Sequence, residues 1–470
     1  MALQGVTTTG IYCRAECAAR PKRQNVRGLR SAAEGLAAGF RPCLVCRPDR
    51  LPNLGPKAPA VEVAQALRLI AQGFLDSATT DQLAARVGYS PRQLARLFAE
   101  HVGASPDFLA RAQRAHLARR LLDESDLTVT EIAFAAGFAS LRTMNRVMAE
   151  LFRFTPKELR AKRSRRDPLA SVDGGLRLRL PFAGPLDGRR LIDYLAARAI
   201  PGVEQVDHAC YRRTTSNCGA PGVVEVRDGG DGQHLELTLH LAAFGSILEQ
   251  VGRVRALFAL DRDSSAAEQT LRSDDVIGDL VRSAPGLRLP GAFDPFETAV
   301  RIIVGQQVSV AAASTVTGRL AERFGEAIDA PLPGGLRRLF PSPAALAEAR
   351  TEELDMPRAR ARSLSAFARA VAEGHIDLEA MASLEQATTT LQALPGIGPW
   401  TAQLIAARVL GAPDAFPASD LGLRRTAARQ LGRAADLSEG ELRELADTWR
   451  PHRTTAAAYL WMAQPAPVAR

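Results

Sequence analysis

The run Leu394-Pro395-Gly396-Ile397-Gly398-Pro399-Trp400 leaves its stretch of chain few ways to fold. Two glycines flanking one apolar residue read as a tight hairpin between two helices. With no side chains at Gly396 and Gly398, backbone N–H groups can approach a phosphate at the N-terminus of the following helix. Asp420 follows in Phe416-Pro-Ala-Ser-Asp-Leu. It can cap a helix over Leu421–Leu431, serve a site, or do both. From Phe293 onward the apolar spacing is helical.

This hairpin resembles that of the helix-hairpin-helix DNA glycosylase superfamily, in which an Asp farther along sits in the base pocket. Bifunctional members carry a Lys where this chain has Trp400. Without that amine no Schiff base can form, so the resemblance implies hydrolysis by water. The segment from Phe293 through Gln306-Gln307-Val-Ser-Val is similar to the part of AlkA-type 3-methyladenine glycosylases that presses on the duplex, and the likeness extends over about 176–465. The wedge side chain there is usually apolar; Gln307 takes its place here. The implied pocket comprises Trp400, Tyr194 in Leu191-Ile-Asp-Tyr-Leu, and Leu404 and His452, where relatives can carry further aromatics. Asp420 would stabilise the developing oxocarbenium ion. The nucleotide must be flipped out of the stack. A purine methylated at N3 or N7 is already cationic, so it needs an aromatic surface more than a general acid. No cysteine follows Cys218, which implies that the iron–sulfur loop of some relatives is absent.

Charge divides the chain. Residues 1–166 hold 27 Lys+Arg against 14 Asp+Glu, a balance of +13; the remainder holds 33 against 37, or −4. A basic first third favours a polyanion, most simply nucleic acid, although an Arg-rich soluble surface would look the same. The length suggests roughly three to four domains. The start, MALQGVTTTG, lacks the basic and apolar regions of a signal peptide, and no apolar run is long enough for a bilayer. The expectation is a cytoplasmic, nucleoid-associated protein with reduced thiols and no membrane partner.

Four of the six cysteines form two close pairs, Cys13-x3-Cys17 and Cys43-x2-Cys46, with 25 residues between. That spacing suits one tetrahedral Zn²⁺ with four thiolate ligands, and disulfides are the competing reading. The segment is too short for its own core, so the metal would supply folding energy. Thr9-Gly10-Ile11-Tyr12-Cys13-Arg14 and Gly39-Phe40-Arg41-Pro42-Cys43-Leu44-Val45-Cys46 resemble the N-terminal domain of Ada-type adaptive-response proteins. There the cysteine matching Cys13 accepts a methyl group from a DNA methylphosphotriester. Only twelve residues precede Cys13, where that family has a longer stretch including a strand. A structural zinc knuckle is the simpler alternative. Cys210 and Cys218 have no Cys or His neighbours at metal spacing and read as ordinary reduced thiols.

Between these regions the chain repeats itself. Asp81-Gln-Leu83-Ala84-Ala-Arg-Val87-Gly88-Tyr89-Ser90 matches Thr130-Glu-Ile132-Ala133-Phe-Ala-Ala136-Gly137-Phe138-Ala139. After one inserted residue, Arg92, Leu94, Arg96 and Leu97 match Arg142, Met144, Arg146 and Val147. Each unit reads as a short helix, a Gly turn and a longer helix. The pair resembles the AraC-type activator module, which implies that the helices over Ser90–Val102 and Ser140–Phe152 enter successive major grooves. Arg92, Gln93 and Arg96 on the first, and Arg142, Thr143, Asn145 and Arg146 on the second, are the candidate base readers. Phosphate contacts or solvated charges are the plainer role for each Arg. Farther on, Val223–Val226, a turn at Asp228–Gln233 and His234–Leu241 read as a β-hairpin, with His234 and His240 on its polar face. Ile247, Val251, Val254, Leu257 and Phe258 follow helical spacing.

The expected protein is multidomain and mainly α. It has a zinc-binding methylphosphotriester domain (1–52), an AraC-type double helix-turn-helix (60–163), an α+β subdomain (176–288) and an all-α helix-hairpin-helix glycosylase domain (289–465). Linkers fall at Pro52–Pro59 and in the basic and Gly-containing run over 161–175. The resemblances imply an alkylation-damage response protein. One half excises alkylated purines without lyase activity; the other takes up methyl groups in a single turnover and activates transcription. Its partners would be double-stranded DNA, alkylated and promoter, and RNA polymerase; it would act as a monomer. Two alternatives stand beside this: a DNA-binding regulator with an inactive glycosylase-like half, and a glycosylase whose front half merely holds DNA.

Overall fold

The computed structural model describes residues 3–50, 55–56, 59–163, 175–245, 247–329, 332–381 and 383–463. Most of both expected linkers, Pro52–Pro59 and 161–175, lies outside the described residues. The chain forms two compact units: 1–181 with 215–224 and 233–254, and 182–214 with 225–232 and 255–470. Both units take segments from 176–288.

The chain opens with a small sheet of β1 (Leu3–Val6), β2 (Ile11–Arg14), β3 (Val26–Leu29) and β4 (Arg41–Pro42), in the order β3-β1-β2-β4. β1 and β2 pair antiparallel with Gln4 opposite Cys13. The short N-terminal stretch thus still holds a strand before the Thr9–Arg14 segment. Helix α1 (Ala32–Ala37) starts at Ser31, whose side chain accepts from Glu34 N–H.

An all-helical region follows: α2 (Val61–Ala71), α3 (Thr80–Arg86), α4 (Pro91–His101), α5 (Pro106–Glu124), α6 (Val129–Ala135), α7 (Leu141–Phe152) and α8 (Pro156–Ala161). The duplication is reproduced in its local chemistry. Thr79 with Gln82 and Thr128 with Glu131 form capping boxes at α3 and α6, and Ser90 and Ser140 cap α4 and α7. The turns between them bend at Gly88 (φ +76°) and Gly137 (φ +81°), where a side chain would be strained. The central α5 buries Leu109, Ala112, Leu117 and Leu121.

The next region contains β5 (Leu176–Pro181), α9 (Gly188–Ala196), β6 (Glu204–Asp207), β7 (Cys210–Asn217), β8 (Ala220–Asp228), β9 (His234–His240) and α10 (Ile247–Leu257). The sheet order is β5-β9-β8-β7-β6. The expected hairpin is the β8/β9 pair. Along β9, Leu235, Leu237 and Leu239 are buried while His234 and His240 are only half-buried. The rest is helical: α11 (Ser265–Leu271), α12 (Gly278–Ser283), α13 (Pro295–Val304), α14 (Val310–Phe324), α15 (Pro343–Glu348), α16 (Arg358–Ala372), α17 (Leu384–Gln392), α18 (Pro399–Ile405), α19 (Leu421–Gln430), α20 (Glu439–Asp447) and α21 (Arg453–Met462). Their core includes Ile303, Phe367, Trp449 and Tyr459. Among the described residues no helix is long and apolar enough to cross a membrane.

Candidate functional site

The hairpin expected between two helices joins α17 to α18, and its two glycines serve different needs. Gly396 has φ +75°, and a Cβ there would lie 1.9 Å from Ser363 Oγ. A Cβ on Gly398 would meet nothing within 4 Å. Position 396 therefore requires glycine for folding, while position 398 leaves open space at the N-cap of α18, where an anion can approach backbone N–H groups.

Beside the hairpin lies a cavity of about 970 Å³, within the second unit, whose walls include Tyr194, Gln307, Trp400, Leu404, Asp420 and Trp461. Asp420 is the carboxylate in its wall. Oδ1 accepts from Leu423 N–H at 2.9 Å, which caps α19, and from Trp461 Nε1 at 3.1 Å. Oδ2 accepts from Trp400 Nε1 at 2.8 Å. Capping and site geometry thus coexist on one carboxylate. Tyr194 extends from α9 with the Arg198 guanidinium 3.6 Å from its ring centroid, so one ring face is already covered.

His452 does not line this cavity. It sits at the N-cap of α21, its N–H donating to Trp449 O at 2.7 Å, and α21 instead projects Trp461 into the wall. Sequence reasoning missed Trp461. The one available signal was that the chain has just three tryptophans and one of them lies on the last helix. Gln307 stands exposed on the cavity rim between α13 and α14.

In the first unit the four Sγ atoms of Cys13, Cys17, Cys43 and Cys46 lie within 4.8 Å of one another. A ZnS₄ tetrahedron with bonds of ~2.3 Å has edges of ~3.8 Å, so the quartet fits with small adjustment. The N–H of Val45 points at Cys43 Sγ (3.4 Å) and that of Arg14 at Cys46 Sγ (3.5 Å), the partners thiolates need. Burial and the neighbouring thiols push Cys13 well above the ordinary thiol range. Burial also pushes Cys46 up to about 11, with the Arg14 N–H pulling the other way. Burial opposes the Cys43 thiolate too, yet the Cys46 and Val45 amides bring that thiol down. Four crowded sulfurs cannot all ionise without a cation among them. Cys210 and Cys218 form no disulfide and lie outside the quartet; the first is buried and pushed up to about 11 by burial and Glu225, the second is exposed.

On α4 and α7, Arg92, Arg96, Arg142, Asn145 and Arg146 are exposed. Gln93 and Thr143 differ from the rest. Gln93 Oε1 accepts from Ser90 N (3.1 Å) and Ser90 Oγ (2.8 Å), so its side chain is engaged in capping α4, while Thr143 Oγ1 is 2.9 Å from Ser140 Oγ, the hydroxyl that caps α7.

Four family descriptions match: the metal-binding domain of Ada over residues 2–49, a helix-turn-helix domain over 83–162, the AlkA N-terminal domain over 177–294, and the HhH-GPD superfamily base excision DNA repair protein over 300–451. A protein of Mycobacterium tuberculosis described as a probable bifunctional transcriptional activator/DNA repair enzyme AlkA is 41% identical over 467 residues, spanning 98% of this chain and 93% of that one. The chain belongs to this bifunctional AlkA family. The family's repair half stands alone in the DNA-3-methyladenine glycosylase 2 of Escherichia coli, which is 33% identical over 285 residues, 60% of this chain and 95% of that one. A 3-methyladenine DNA-glycosylase from Archaeoglobus fulgidus superposes with a TM-score of 0.53 at 22% identity, over 61% of this chain and 97% of that one, and so shares the fold. The family likeness to Ada's metal-binding domain and the sulfur geometry agree that the quartet is a Zn²⁺ site.

Proposed function

We propose that this protein answers alkylation damage in two ways. Its second unit is a monofunctional glycosylase that excises alkylated purines of the 3-methyladenine and 7-methylguanine type. Its front region accepts methyl groups from DNA methylphosphotriesters on Cys13 and thereby becomes a sequence-specific activator. The observation that carries the first claim is the Asp420 carboxylate, held by two indole N–H groups in the wall of a cavity beside a phosphate-accessible hairpin.

A purine methylated at N3 or N7 is cationic. When its C1′–N bond breaks, the electron pair returns to the ring and neutralises it, and positive charge develops on the sugar. Three N–H donors occupy three of the roughly four acceptor positions of Asp420, leaving one for the sugar or the attacking water. Water adds at C1′ and passes its proton to the Asp420 carboxylate and on to solvent, giving an abasic sugar and the free base. Trp400, Trp461 and the open face of Tyr194 offer ring surfaces to the cation. Asp420→Asn keeps the size and the Oδ1 cap but removes the charge. Base release should fall at least ~100-fold, or ~2.7 kcal/mol of barrier. DNA binding should hardly change, and borohydride should trap no covalent complex. A trapped complex, or wild-type excision by the Asn variant, overturns the assignment.

The second claim draws support from the sulfur quartet and the Ada-type match. Bound zinc would keep the Cys13 sulfur in its thiolate form. Cys13 attacks the methyl carbon: an S–C bond forms as the C–O bond breaks, and the phosphodiester leaves as an anion. The thioether that results carries one negative charge fewer. At ~8 Å that changes each phosphate interaction by ~0.5 kcal/mol in water and ~2 kcal/mol at an effective dielectric of 20. Operator affinity should rise, most at low salt, and the promoter-bound monomer would then engage RNA polymerase. Methylated DNA should add one methyl mass, at Cys13 alone, in a single turnover; a methyl on Cys43, or none, refutes the sensor.

A further inference from the structure

Among the described residues seven large apolar side chains are exposed, and five of them stand at the two candidate sites. Val308, Val310 and Leu421 belong to the cavity wall. Leu44 and Val45, 44% and 73% exposed, are the two residues between Cys43 and Cys46. One exposed apolar residue needs no explanation, but an adjacent pair beside the sulfur quartet does. The backbone fixes this pair in place. Val45 N–H points at Cys43 Sγ (3.4 Å) and Arg47 N–H donates to Cys43 O (3.1 Å), which closes the loop. Both flanking sulfurs lie within 4.8 Å of Cys13 Sγ. The neighbouring guanidinium groups are turned to other partners: Arg14 Nη2 to Arg47 O (3.4 Å), Arg41 Nη1 to Pro42 O (3.4 Å), and Arg47 to Asp49 (2.7 Å) and Asp123 (2.8 Å). The loop tip is therefore aliphatic and carries no charge of its own.

An ordinary DNA linkage meets this tip badly. Its phosphodiester is an anion, and pressing it against aliphatic groups strips water without supplying a partner. When the quartet holds Zn²⁺, four thiolates leave a net charge of −2, which repels the same anion. A methylphosphotriester differs on both counts. It is neutral, and its methyl group gains from apolar contact. Once the methyl has moved to sulfur the linkage is again an anion, and the tip again disfavours it. The same two side chains thus favour entry of the substrate and departure of the repaired linkage.

We infer that Leu44 and Val45 form an apolar lip on the methyl-acceptor site that admits the neutral methyl ester and turns away ordinary phosphodiesters, so that these two side chains set the selectivity of the transfer. This rests on the methyl-transfer reading of Cys13. The test uses the zinc-loaded full chain and short duplexes that differ at one linkage. That linkage is either a phosphodiester or a methylphosphonate, a neutral group whose methyl is bonded to phosphorus and cannot be transferred. The wild type should bind the methylphosphonate duplex about fivefold more tightly. Leu44→Gln/Val45→Thr, polar but uncharged and of similar size, should cut that ratio at least about threefold with the zinc content unchanged. Val45→Thr alone, at the most exposed position, should cut it about twofold, and it decides the question if the double variant loses metal. Equal wild-type affinity for the two duplexes, or an unchanged ratio in the variants, overturns the inference. Wild-type protein that takes up no methyl from methylphosphotriester DNA would instead refute the sensor reading, and this inference with it.

Discussion

Asp420 shows how much one residue can hold. Its Oδ1 begins α19 and its two oxygens together orient Trp400 and Trp461. The aromatic partners were unequally legible. Trp400 and Asp420 lie in recognisable words of the sequence, whereas Trp461 reaches the site from 41 residues beyond Asp420, with no local pattern to announce it. A tryptophan on a helix is by default a core residue, as Trp449 is here, fully buried with Nε1 on Asp274 at 2.8 Å. Trp461→Phe keeps a ring but removes the donor. Excision should slow about tenfold, ~1.4 kcal/mol, with folding intact; an unchanged rate would reduce Trp461 to packing. The hairpin glycines make a second contrast. Gly396→Ala forces a left-handed alanine against Ser363 and should lower thermal stability. Gly398→Ala meets no protein atom and should fold normally while weakening DNA binding, because its methyl group occupies space a phosphate would use. Equal effects of both on stability would contradict this division.

Elements were most legible where chemistry is local. The two helix-turn-helix units repeat caps, turns and apolar spacing within short windows, so α4 and α7 begin and end within a residue of their expected spans. What the repeat could not reveal is that Gln93 is engaged in capping and that Thr143 Oγ1 lies against the capping hydroxyl of Ser140. Gln93→Glu retains the capping acceptor and should leave operator choice unchanged, whereas Arg96→Ala and Arg142→Ala should each weaken specific binding by about 1–3 kcal/mol if they read bases. An equal loss on random DNA would make these arginines phosphate contacts, and an altered operator preference in the Glu variant would return Gln93 to the readers. Sheets were less legible. The β8/β9 hairpin shows clean alternation and a turn, but β6 is four residues long, and the order β5-β9-β8-β7-β6 depends on pairings distant in sequence.

Across the whole molecule charge works in two ways: the first 166 residues hold a +13 surplus suited to DNA, while the second unit neutralises a cluster internally. Glu204 on β6 accepts from Arg301 Nη1 (2.9 Å), Tyr211 OH (2.6 Å) and Ile200 N (3.0 Å), and Arg213 on β7 pairs with Glu297 at 2.6 Å. This balanced network ties β6 and β7 to α13, whose C-terminus leads directly into Gln306 and Gln307 on the cavity rim. Burial opposes the charge on Glu204, but Arg301 and Arg213, with the Tyr211 hydroxyl, hold its carboxyl below the ordinary range. A depressed carboxyl contributes stability above its unfolded value, ~4.3, and loses it as pH falls through the lower folded value. Glu204→Gln leaves the two arginines sharing Glu297 and should cost about 3–5 kcal/mol near neutrality. In acid the wild-type side chain becomes neutral like the amide. The gap between the two proteins' calorimetric transitions for the second unit should therefore be widest at neutral pH and narrow steadily once pH drops below ~4.3. A gap that stays constant across that range would mean that Glu204 acts through shape and hydrogen bonding rather than through its charge.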